Sequence, residues 1–118
     1  MGLFDIFGKK QTKKVYTPQE IVELARTHKP DSIYQDGHLR PEVDEAVNKI
    51  MLYDGISNIS TMLMLNDPTD MKNKMKEADV DTLLIFFKFL AIKANETSNN
   101  QAIGAVQQYL ISVLQQKL

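Results

Sequence analysis

The chain has 118 residues, of which 43% are hydrophobic and 25% charged; that length and composition fit one globular domain with enough apolar surface to fold. No apolar run approaches the ~18 residues that a bilayer span requires, and with no cysteine a disulfide framework, a thiol nucleophile and a cysteine-based zinc site are excluded. Charge divides unevenly, with +3 on residues 1–14 and −4 on the remainder, so the body repels phosphate backbones and no nucleic-acid partner is expected.

Residues 1–16 read as a flexible amphipathic tail. Leu3, Phe4, Ile6 and Phe7 are followed by Gly8 and by Lys9, Lys10, Lys13 and Lys14. The apolar cluster is too short for the core of a secretory signal. Ile6 stands where N-myristoylation prefers Ser or Thr. The opening resembles the start of short membrane-active peptides and the membrane-targeting N-termini of some peripheral bacterial proteins. That resemblance implies membrane contact by Leu3, Phe4, Ile6 and Phe7, with Lys9 and Lys10 meeting anionic lipid. The alternative is a tail that docks Phe4 and Phe7 on the body.

A single helical domain is expected over residues 17–118. Thr17-Pro18-Gln19-Glu20 has the form of a capping box with proline at the first helical position. Ile21, Leu24, Ala25 and His28 then share one face, which predicts a helix over about 17–29, ended by Pro30. Residues 30–41 hold Pro30, Asp31, Ser32, Asp36, Gly37 and Pro41 and read as a loop. A second helix opens at Pro41 and aligns Val43, Ala46, Val47, Ile50 and Met51. Its stripe and that of Ile56, Ile59 and Leu63 fall on opposite sides of a continuous helix, so a break is expected at Asp54-Gly55. A third helix runs to Leu65, stopped by Asn66-Asp67-Pro68. Residues 69–77 are charged, with Met71 and Met75 at helical spacing, and predict a short exposed helix. Asp79 caps a helix from Val80 to about Asn95. A last helix over about 99–117 aligns Ile103, Val106, Leu110, Val113 and Leu114. Nothing alternates as a strand, so the fold class is all-α: a small compact bundle of about five helices.

The helix from Val80 carries two apolar stripes. One holds Val80, Leu83, Leu84, Phe86, Phe87, Leu90, Ala91 and Ala94; the other holds Ile85, Phe89 and Ile92 at i, i+4 and i+7. Two readings follow. Either the helix is central and packed on all sides, or Ile85, Phe89 and Ile92 form a partner-binding or self-association stripe, with Lys88 and Lys93 snorkelling around it.

Other chemistry is sparse. His28, Asp31, Asp36, His38 and Glu42 surround the first loop, but their spacing matches no metal site, and Ser32 and Val43 stand where an EF-hand loop needs its first and last ligands. No catalytic arrangement, phosphate loop or cofactor motif is present, so neither an enzyme nor a cofactor is expected. The leading expectation is a small cytoplasmic protein-interaction module of adaptor, secretion-chaperone or toxin-neutralising immunity type, binding a protein partner or itself. A membrane-peripheral protein using residues 2–14 is the first alternative. A small-molecule or lipid binder is the second, with a pocket lined by Phe86, Phe87, Phe89 and the methionines.

Overall fold

Local capping decides where the helices of the computed structural model begin. The structure describes residues 15–53, 59–97 and 101–118. At α1 (Pro18–Thr27) the Thr17 hydroxyl accepts from the Glu20 backbone at 3.1 Å, and the Glu20 carboxylate accepts from the Thr17 backbone at 2.9 Å. Proline also opens α2 (Pro41–Ile50) and α4 (Pro68–Glu77), where its missing N–H lacks a helical acceptor in any case. Asp67 caps α4 and Asp79 caps α5 (Val80–Glu96), each accepting a backbone N–H at 2.8 Å. The remaining helices are α3 (Ile59–Leu65) and α6 (Gln101–Lys117). The expected bundle is therefore found, with six helices among the described residues once the short α3 and α4 are counted separately. The expected break at Asp54-Gly55 lies outside the described residues.

The segment expected as plain loop closes into a small antiparallel hairpin, β1 (Tyr34–Gln35) and β2 (His38–Leu39), with Tyr34 opposite Leu39. Asp36 and Gly37 both have positive φ, 54° and 82°, as a two-residue turn of this hand requires. Strands of two residues are too short to show an alternating pattern, which is why the sequence did not reveal them.

The core is one cluster to which every helix contributes. Its axis is α5, which packs against α1, α2 and α6. Nine consecutive residues of α5, Thr82 to Leu90, are buried, as expected for a helix that is apolar all round. Phe86 and Phe89 stack with ring centroids 6.3 Å apart, and Tyr53 meets Phe89 edge-on at 5.4 Å. Burying each ring contributes about 1.5–3 kcal/mol. The charged α4 is also more than a solvated surface: Met71 and Met75 are buried beneath it, because α4 packs on both α2 and α6. Among the described residues, no helix is long and apolar enough to cross a membrane.

Candidate functional site

The expected contact stripe on α5 does not form a surface. Phe89 is fully buried and Ile85 nearly so, while Ile92 is half-buried against the core. The reason is enclosure: α1, α2 and α6 cover the faces of α5 that its own periodicity left unassigned. The two lysines that were to flank an interface bind the fold together instead. The Lys88 amine donates to the carbonyls of His28 and of Pro30, the latter at 2.6 Å, and so serves the C-terminal end of α1. Burial pushes this amine below the usual lysine range, with the charge of Asp31 opposing. The Lys93 amine donates to the Tyr34 hydroxyl at 2.9 Å and to Glu96 at 3.3 Å, and stands over the rings of Tyr34 and Phe89. Partial burial works against the Lys93 charge but is outweighed by the Tyr34 oxygen, Tyr53 and Glu96, so its pKa is raised. Tyr34 in turn donates to Glu96 at 2.9 Å; burial raises its own pKa despite the neighbouring ammonium. This cluster fixes the hairpin to the end of α5.

The polar residues around the first loop are not brought together. His28 pairs with Asp81 of α5, and Asp31 with Lys29. Among the described residues, no group of three or more His, Asp or Glu is placed to hold a metal ion. The expected membrane-contact residues Leu3, Phe4, Ile6, Phe7, Lys9 and Lys10 lie outside the described residues.

A further concavity lies elsewhere, between α3, α4 and α6. It is a groove of about 600 Å³, within the range typical of ligand sites. Leu63 of α3, Met71 and Met75 of α4, and Val106 of α6 line it with apolar surface, and Ala102 and Ala105 keep α6 thin there. Lys72 and Tyr109 also line it, with the Lys72 amine 5.1 Å from the ring centroid of Tyr109. The phenylalanines expected to line a pocket are absent from it: Phe86 and Phe89 fill the core, whereas Met71 and Met75 do line the groove.

Where α3 meets the segment after α2, Met64 and Leu65 of α3 are 82% and 74% exposed, and Leu52 is 69% exposed. Asn66 holds this edge in place. Its side-chain oxygen accepts from the Leu52 backbone at 2.9 Å, and its amide donates to the carbonyls of Leu52 and Met62 at 3.1 and 2.7 Å. A readable signal did exist: Met62-Leu63-Met64-Leu65 is an apolar run in a helix of seven residues, and one short helix cannot bury every side of itself. Ala102, Ala105 and Tyr109 carried no comparable signal.

Comparison with family models, with curated proteins and with solved structures finds no match.

Proposed function

We propose that the protein is a non-enzymatic interaction module that seats an apolar, amphipathic helical segment of a partner protein in the groove between α3, α4 and α6. The observation that carries this reading is the methionine-lined groove, one of whose walls, α3, also exposes Met64 and Leu65. Flexible, polarizable thioethers adapt to a partner's side chains, and a groove between helices takes the apolar face of another helix. Adaptor, secretion chaperone and immunity protein are modules of this kind.

Ala105→Glu tests the reading, because Ala105 is exposed and lines the groove. The variant should fold as the wild type does and lose the partner captured by the wild-type chain. Capture at unchanged affinity would remove the groove from the function. A second reading is a binder of small apolar ligands, favoured by the volume and apolar lining of the groove. Saturable uptake of an apolar fluorescent probe, blocked by Ala105→Glu, would support it.

A further inference from the structure

The chain itself carries a candidate occupant for the groove. The Tyr16 carbonyl accepts from the Gln115 side chain of α6 at 2.7 Å, and Val15 beside it is 77% exposed. Gln108, which lines the groove, lies seven residues before Gln115. Seven residues are close to two turns, so both share one face of α6, roughly 10 Å apart along its axis. Residues 8–15, fully extended, reach up to about 26–29 Å. That length exceeds the separation of Gln115 and Gln108, so residues 3–7 are within reach of the groove.

The chemistry of the two parts is complementary. Leu3, Phe4, Ile6 and Phe7 have the i, i+1, i+3, i+4 spacing of one helical face, opposite a lining of methionine, leucine, valine and alanine. Asp5 is the single acidic residue of positions 1–14, and Lys72 is the single charged residue among the described lining residues. The surplus positive charge of residues 1–14 is opposite in sign to the net −4 of the remaining chain.

We propose that residues 3–7 of this chain dock in the groove between α3, α4 and α6, with Asp5 facing Lys72, so that the segment and an external partner compete for one surface. The proposal rests on the reading of the groove as a protein-binding surface. Tethering gives the segment an effective concentration on the order of millimolar. A weak internal ligand therefore suffices to lower the partner's apparent affinity.

The experiment uses the full chain. With no cysteine in the sequence, Gly2→Cys gives one attachment point for a nitroxide label, and the methyl signals of Met71 and Met75 report its proximity. Both signals should broaden and should sharpen again in Phe4→Asp/Phe7→Asp. Asp5→Lys should shift the docked-to-free ratio down roughly 1.5–5-fold, the range for an exposed charge pair, and adding Lys72→Glu should restore it. Sharp Met71 and Met75 signals in the labelled chain overturn the proposal. So does equal broadening when label and isotope sit on different, mixed chains, which assigns the groove to a second copy. Immobilisation of the label on anionic vesicles while Met71 and Met75 stay sharp assigns the segment to a lipid surface. Partner capture that depends on Ala105 while both signals stay sharp removes the internal occupant and keeps the groove reading. Broadening that Ala105→Glu abolishes, without effect on partner capture, keeps the internal occupant and removes that reading.

Discussion

Replacing Phe89 separates an enclosed central helix from one with a free face. The side chain is fully buried, with Phe86 stacked on one side, Tyr53 edge-on at 5.4 Å and the Lys93 amine over its ring. Phe89→Ala deletes the ring and leaves a cavity that rigid neighbours on α5 cannot refill, at a cost of about 3–5 kcal/mol. Small domains have only about 5–15 kcal/mol in total, so the variant should be folded but much weakened. With a slope near 2 kcal/mol per molar urea, the unfolding midpoint should fall by roughly 1.5–2.5 M. Phe89→Glu places an unpaired carboxylate in the same position and should not fold at all. Urea titrations followed by circular dichroism, with light scattering to exclude aggregation, check both. A folded Phe89→Glu monomer with a near-wild-type midpoint would refute the enclosure of α5 and restore Ile85, Phe89 and Ile92 as a surface.

Three further outcomes follow from the same contacts. Lys88→Met should cost about 1–3 kcal/mol, since it strips the carbonyls of His28 and Pro30 of their buried donor; an unchanged urea midpoint would show that water serves them equally well. Asn66→Ala removes three hydrogen bonds at the α2–α3 junction and should destabilise by roughly 1–3 kcal/mol, with faster amide exchange at Leu52 as the local readout. Tyr34→Phe should lose about 1 kcal/mol at neutral pH. Because the pKa values of both Tyr34 and Lys93 are raised by folding, the native state holds protons that the unfolded state releases first. The wild-type advantage over Tyr34→Phe should therefore be constant below about pH 10 and shrink above it. An advantage that grew with alkalinity would contradict the assignment.

What the sequence determined by itself was local. The Thr17 box, the Asp79 cap and the prolines at positions 18 and 41 act within a turn or two, so these helix starts were legible from residue types alone, whereas Asp67-Pro68 read as the stop of α3 and in fact opens α4. The stripes of α1, α2 and α6 were legible for the same reason. Burial beyond a single stripe was not. The α5 helix is apolar on nearly every side, and its sequence is equally consistent with enclosure and with a sticky face; only the placement of α1, α2 and α6 around it decided for enclosure. Met71 and Met75 stood out only as a spacing in a charged segment, and their burial depends on α4 meeting both α2 and α6. The groove lies further still from local information. It exists because alanines of α6 meet methionines of α4 and a leucine of α3, and a concavity shared by three helices is a property of their packing rather than of any one periodicity.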